Sequence, residues 1–315
     1  MTDGEVRTRW DEAFCSAVVS GLSRPQKSIP CCWLYDERGS ELFEAITRLH
    51  DYYPTRAEAE ILWRHARDIA DFCGEGAVLL EYGAGAGVKA EILIEALRAP
   101  RVYAPIDIEA GVLGRTARRI GGRFPGLDVQ PILADFTRDF DAPELPQGPR
   151  AAFFPGSTIG NLNRREAIAF LSRMRRHVQN GKAVIGVDLK KDRRILLDAY
   201  DDGEGVTAAF NLNLLARINR ELDGGFPLSR FAHEARWNEA DSAVEMHLVS
   251  LDSREVAVAG RLFPFKAGDS IHTESSRKYE LAMFEAMTDE AGWRLARAWR
   301  DRGDRFAVFG LEALV

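Results

Sequence analysis

The sequence predicts an α/β fold, a parallel sheet with crossover helices interrupted by a second, α+β domain. Three observations carry this. From about residue 55 to residue 190, strand-like apolar runs alternate with helix-like runs. Inside that stretch, "AVLLEYGAGAGVKAEIL" (Ala77–Leu93) passes from a strand through a glycine-rich turn into a helix. After Asp188 the alternation stops, and two helical stretches are followed by several short strands of period two.

The elements follow in order. Thr55, behind Pro54 and three residues before Glu58, has the spacing of a capping box and opens a helix. A strand is expected at Ala77–Glu81, a helix from Val88, a strand at Val102–Ile106, a helix at Gly111–Ile120, and strands at Val129–Leu133 and Ala151–Phe154. Asn163 with Glu166 forms a second capping box, and "AVIGVDL" (Ala183–Leu189) is the next strand. "RILLDAYDD" and "TAAFNLNLLARINREL" have helical spacing; "RFAHEARWN", "SAVEMHLVSL" and "REVAVAGR" alternate as antiparallel strands. "ELAMFEAMTDEAGW" is again a helix, and "RLARAWRDRGDRFAVFGLEAL" is two strands about a tight Arg-Gly-Asp turn. The expected division is a core of residues 59–189 and 279–315, with residues 1–58 and 190–278 forming the second domain.

Composition narrows the function. The chain has 315 residues, a net charge of -6, 46% hydrophobic and 29% charged residues. An acidic balance argues against a grip on nucleic acid backbones. Arg173, Arg175 and Arg176 are interleaved with apolar residues and read as a solvated helix face. The opening residues lack the apolar core of a signal peptide, and no apolar run reaches the ~18 residues of a membrane span. Cys15, Cys31, Cys32 and Cys73 have no CxxC spacing, so free thiols are expected, in a cytoplasmic monomer with no membrane partner. His233, His247 and His272 lie on different strands without ligand spacing, so no metal site is expected.

The glycine turn places backbone N–H groups and a helix N-terminus against a ligand. A triphosphate loop ends in Gly-Lys-Ser/Thr, whereas here Val88-Lys89-Ala90 offers no hydroxyl for a metal. The dinucleotide fingerprint G-x-G-x-x-G accommodates Gly83 and Gly85 but finds Val88 at its third glycine. What remains is G-x-G-x-G with Glu81 two residues before it, the form common at S-adenosylmethionine sites. That ligand has an ammonium and no pyrophosphate, so an acid at the strand end is favourable. Asp107 follows the next strand, where a carboxylate takes ribose hydroxyls. Asp135 follows the one after, placed to accept from an adenine amino group, with Phe136 beside it for ring contact.

Together with these features, "WLYDERGSELFEAITRLHDYYPTRAEAEIL" (Trp33–Leu62), "FFPGSTIGNL" (Phe153–Leu162), "DAYDD", "EMHL" and "HTESS" resemble the histidine Nα-methyltransferases of ergothioneine biosynthesis over nearly the whole chain. The terminal hairpin likewise resembles that of class I methyltransferases, whose Rossmann-like core is the fold implied. The resemblance implies that Tyr35, Gly83, Lys89, Asp107, Asp135 and Phe136 surround S-adenosylmethionine, with Lys89 near its carboxylate; Glu81 and Gly85 join them as cofactor-binding residues by the spacing of the turn. It implies that Tyr52, Gly156, Asn161, Tyr200, Met246, Glu274 and Ser276 line the pocket of a small free amino acid. Asn161 and Tyr200 would hold the amino-acid end, Glu274 and Ser276 the imidazole, and Tyr35, Asn161 and Tyr200 would be the catalytic set. Departures lie on the cofactor side: Tyr82, Ala84 and Ala86 in the turn, and "PCCW" before Tyr35.

The chemistry agrees with the residues. Methyl transfer from a sulfonium to an amine is an in-line displacement, to which orientation contributes much of the rate. No strong base stands out; Tyr35, Tyr52 and Tyr200 are hydroxyl candidates. In "IHTESS", period two puts His272, Glu274 and Ser276 on one strand face. A carboxylate accepts one imidazole N–H while a hydroxyl serves the other ring nitrogen. Val244, Met246 and Leu248 share a face of the neighbouring strand. The competing readings are methylation of another aromatic amino acid or amine, a non-catalytic S-adenosylmethionine-binding module, and an NAD-dependent reductase, against which Val88 argues.

Overall fold

The structure, a computed structural model, describes residues 11–314. The described residues begin with α1 (Glu12–Leu22), β1 (Lys27–Ser28), α2 (Glu37–Ile46) and α3 (Tyr53–Cys73). The alternating region contains β2 (Val78–Tyr82), α4 (Val88–Ala96), β3 (Val102–Asp107), α5 (Ala110–Arg123), β4 (Asp128–Val129), β5 (Ile132–Leu133), β6 (Arg150–Phe154), α6 (Arg164–His177) and β7 (Lys182–Asp188). Then come α7 (Arg193–Asp198), α8 (Val206–Glu221), β8 (Phe231–Asn238), β9 (Ala243–Ser250), β10 (Arg254–Val258), β11 (Arg261–Phe265) and β12 (Ser270–Arg277). The last elements are α9 (Leu281–Glu290), β13 (Trp293–Arg300) and β14 (Phe306–Ala313). Two compact units result: one holds residues up to Tyr53 together with Asp192–Ser276, the other Pro54–Lys191 together with Arg277 onward.

The larger unit is built on one sheet in the order β13-β14-β7-β6-β2-β3-β4, with β5 also on β3. β2, β3, β6 and β7 pair in parallel; β14 runs antiparallel against β7 and against β13. Helices on both faces require strands apolar on both sides, and β2 and most of β7 are buried at every position. Asn163 and Glu166 form the expected reciprocal cap of α6. The Arg-Gly-Asp turn closes on Asp301, whose carboxylate accepts from the backbone N–H groups of Gly303, Arg305 and Phe306.

Two local expectations are corrected. α3 starts at Tyr53, so Thr55 lies inside it and Glu58 does not cap it; Pro54 fits the first turn, where an N–H has no partner. The strand expected over Val129–Leu133 is two bridging pieces. Gln130 N–H reaches Tyr103 O and Ala134 N–H reaches Asp107 O, so Pro131 faces away from β3, and the gap lies opposite Pro105 of β3, which has no N–H to give.

At the end of β7, Asp188 is fully buried. Lys278 Nζ donates to Oδ2 at 2.7 Å and Lys191 Nζ to Oδ1 at 2.5 Å, while the Asp188 N–H donates to Ser157 Oγ at 2.9 Å. Burial works against the charge, yet the two ammonium groups hold the carboxyl below its usual range. Burial brings Lys191 down to about 8. The backbone continues the join: Tyr279 N–H reaches Asp188 O and Lys190 N–H reaches Tyr279 O.

The smaller unit has a four-stranded sheet, β1-β12-β9-β8, and a separate hairpin, β10-β11. The hairpin turns through Ala259 and Gly260, both at positive φ as a two-residue turn demands. β11 contains Pro264, which a two-stranded ribbon tolerates on its unpaired edge. Asp202 receives the N–H groups of Val206 and Thr207 and so starts α8. α8 buries Phe210, Asn211, Leu214 and Ile218. Asn211 is its polar anchor: the amide donates to His233 Nδ1 (2.9 Å) and His247 O (3.2 Å) and accepts from Thr273 Oγ1 (2.7 Å). Asn211→Ala leaves these buried groups unmatched and should lower stability by about 1–3 kcal/mol; the shift in urea midpoint measures it, and an unchanged midpoint would contradict the anchoring role.

Candidate functional site

The glycine turn is shaped by backbone need. Gly83, Gly85 and Gly87 have φ of 67°, 48° and 63°, the left-handed region that favours glycine. A Cβ on Gly83 would meet the Phe136 ring at 3.4 Å, and one on Gly87 would press Thr116 at 2.7 Å. Asp107 binds the turn from the end of β3. Its Oδ2 accepts Gly85 N–H at 2.9 Å and its Oδ1 accepts Glu109 N–H at 3.0 Å. Phe136 packs on Phe154 and Phe170 at centroid distances of 5.5 and 5.4 Å, beside the turn. Asp135 takes the N–H and hydroxyl of Thr137 on Oδ1 and pairs with Arg138. Arg173 is no solvated spectator: it donates to the carbonyls of Phe136 and Thr137 and holds this loop to α6.

Glu81 is enclosed at the end of β2. Its carboxyl is 1% exposed and bonded by the Tyr103 hydroxyl, and burial pushes it up to about 8. Burial thus favours its protonated form, and its bond with Tyr103 braces β2 against β3.

Lys89, one residue into α4, pairs with Glu58. Both Glu58 oxygens also accept the Gly156 N–H at 2.9 Å. Gly156 has φ 84°, and a Cβ there would lie 3.5 Å from Lys89 Nζ. Asn161 ends the one-turn 3-10 helix Thr158–Asn161, which is seated by Gly160 against the backbone of Arg277. Glu58 escapes sequence reasoning because its spacing from Thr55 imitates a helix cap.

The smaller unit brings the aromatic and polar set together. Tyr35 follows the 3-10 turn Cys31–Leu34 and meets Phe43 and Phe210 edge-on, each at 5.4 Å. Burial first, then the charge of Glu274, holds its hydroxyl well above the ordinary tyrosine value, with Tyr52 and Tyr200 adding to it. Tyr52 meets Tyr200 at 6.1 Å, and Tyr200 donates to Ser276 Oγ at 2.7 Å. Glu274 and Ser276 are buried at 8% and 4% exposure. Met246 is buried with Val244 and Leu248, and its carbonyl accepts from Thr273.

His272 does not share their environment. β12 departs from strict alternation, because Thr273 and Glu274 are buried in succession. His272 is half-buried and bonded to Ser28 (3.3 Å) and to Ser275 (3.0 Å). Of the residues read from sequence, Tyr35, Tyr52, Tyr200, Met246, Glu274 and Ser276 thus lie in the smaller unit. Glu81, Gly83, Gly85, Lys89, Asp107, Asp135, Phe136, Gly156 and Asn161 lie in the larger one. Among the described residues no three His, Cys, Asp or Glu side chains converge to hold a metal, and no helix is long and apolar enough to cross a membrane.

A Rossmann-like sheet with an antiparallel β14, a G-x-G-x-G turn tied to a strand-end acid, and a lysine at the first turn of the following helix define an S-adenosylmethionine-dependent methyltransferase. The model of the family described as "Histidine-specific methyltransferase, SAM-dependent" matches residues 14–313, and the chain belongs to that family. It is 41% identical to the histidine N-alpha-methyltransferase of Mycobacterium tuberculosis, covering 92% of each chain. It is 39% identical to the enzyme of the same name from Mycolicibacterium smegmatis, covering 94% of each. Ergothioneine biosynthesis protein 1 of Neurospora crassa is 30% identical over 89% of this chain and 33% of that longer one.

The Glu81 proton gives a stability test. The folded chain keeps it to about pH 8, against an ordinary value of 4.5. The folded state therefore binds more protons across that window, and this contribution to stability falls as pH rises through it. In Glu81→Gln, the drop in melting temperature between about pH 5 and about pH 9 should be smaller than in wild type. An identical drop in both proteins would show that the acid is already ionised.

Proposed function

We propose that the protein methylates the α-amino group of L-histidine, in three rounds, to Nα,Nα,Nα-trimethylhistidine (hercynine), a reaction that supplies ergothioneine synthesis. The observation that carries the acceptor is the buried pair Glu274 and Ser276 among Tyr35, Tyr52 and Tyr200. A carboxylate and a hydroxyl at a buried position can each serve one imidazole nitrogen, which an apolar ring cannot use.

In this reading Glu274 accepts one imidazole N–H and Ser276 serves the second nitrogen. Within the smaller unit, Tyr52, Tyr200 and Met246 complete the acceptor wall. Lys89 receives the carboxylate of S-adenosylmethionine, Asp107 the ribose, and Phe136 and Asp135 the adenine. S-adenosylmethionine supplies a methyl group on a sulfonium. The chain's part is to hold the amine lone pair in line with it and to exclude competing nucleophiles. Each methyl added to an ammonium releases one proton. Tyr35 is held as a neutral phenol at neutral pH, so it orients by hydrogen bonding and does not take that proton as a phenolate.

Incubation of the protein with S-adenosylmethionine and a panel of free amino acids, followed by mass spectrometry, should give successive one-, two- and three-methyl products from histidine. Glu274→Ala should lower kcat/KM for histidine about 10- to 100-fold, as expected for loss of a charged hydrogen bond. Unchanged histidine turnover in that variant, or a preference for tryptophan in the wild type, would overturn the assignment.

A further inference from the structure

We propose that Glu58 is a positioning residue for the methyl donor. It is a buried carboxylate that fixes the Lys89 ammonium and the Gly156 turn, and so sets the affinity for the amino-acid end of S-adenosylmethionine. The inference rests on the reading above that Lys89 meets the donor's carboxylate.

Three observations in the larger unit support it. The first is the asymmetry of the pair: the Glu58 side chain is 1% exposed and that of Lys89 21%. The acid stands behind the lysine and leaves the ammonium as the accessible end. The second is saturation. Glu58 receives Lys89 on one oxygen and the Gly156 N–H between both, so this buried charge is compensated without reaching solvent. The third is the space kept for it. Gly186 lies in the middle of β7, where a Cβ would collide with Glu58 Oε1 and stand 3.3 Å from Gly156 N. A glycine inside a strand weakens it, and this one makes room for the acid.

A lysine is a flexible four-carbon stem whose ordering costs entropy when a ligand binds. Held beforehand by Glu58, Lys89 meets a carboxylate with that ordering already done. A purely structural acid, tying α3 to the sheet, would affect every ligand of the glycine turn equally. A positioning acid affects only ligands that bear the carboxylate.

The test measures Kd by calorimetry for S-adenosylhomocysteine and for methylthioadenosine, the same nucleoside thioether without the amino-acid end. The proteins are wild type, Glu58→Gln, Lys89→Met and the double variant. Glu58→Gln should weaken S-adenosylhomocysteine about tenfold and leave methylthioadenosine within about twofold. Intact methylthioadenosine binding also certifies the fold. On the Lys89→Met background, Glu58→Gln should add nothing, and Glu58→Asp should recover part of the loss. Equal weakening of both ligands, failure of the Glu58 variants to fold while Lys89→Met folds, or tighter S-adenosylhomocysteine binding would overturn the proposal; the last would make Glu58 a competitor for the lysine. If Lys89→Met leaves S-adenosylhomocysteine unchanged, the assignment of Lys89 is the part that fails, and the role of Glu58 falls with it.

Discussion

Asp188 is the constraint on which the larger unit turns. It is a carboxylate with no exposure, matched by Lys278 with none and by Lys191, and its backbone reaches Ser157 and Tyr279. The segments that follow the parallel strands β6 and β7 and the segment that re-enters after β12 are therefore fixed to one point. Its removal would strand two buried ammonium groups, a loss of about 3–5 kcal/mol.

The chemistry is divided by type of side chain. The larger unit offers backbone N–H groups, Asp107 and Lys89, suited to a polar nucleoside with a zwitterionic tail. The smaller unit offers tyrosines around one buried acid, suited to a ring with donors at its edge. Burial and the charge of that acid keep the Tyr35 hydroxyl protonated.

Much of this was legible in the sequence, and the exceptions have physical causes. The strands of the parallel sheet stand out because burial on both faces makes them continuous apolar runs, as in "VLLEY" and "AVIGVDL". The glycine turn is readable because only glycine takes three left-handed positions in five residues. Glu58 looks like a cap because a cap is a local pattern, whereas its partners Lys89 and Gly156, and Gly186 that makes room for it, are distant in sequence. The break between β4 and β5 is not legible locally, because the residues around it are strand-like and the facing Pro105 lies on another strand. Period two failed in β12, where Thr273 turns to Asn211 and Glu274 is buried beside it, a tertiary demand that no local spacing encodes.

The position of β14 bears on how the chain is made. Its partner β7 precedes the whole of α7 through β12, yet β14 lies between β7 and β13 in the finished sheet. During synthesis β7 therefore waits with one edge unpaired until the intervening residues have emerged. Contacts so far apart in sequence are slow to form, and an open apolar edge invites pairing with other chains. An unpaired β7 is open to such pairing, and Phe306–Ala313 is the segment that covers it.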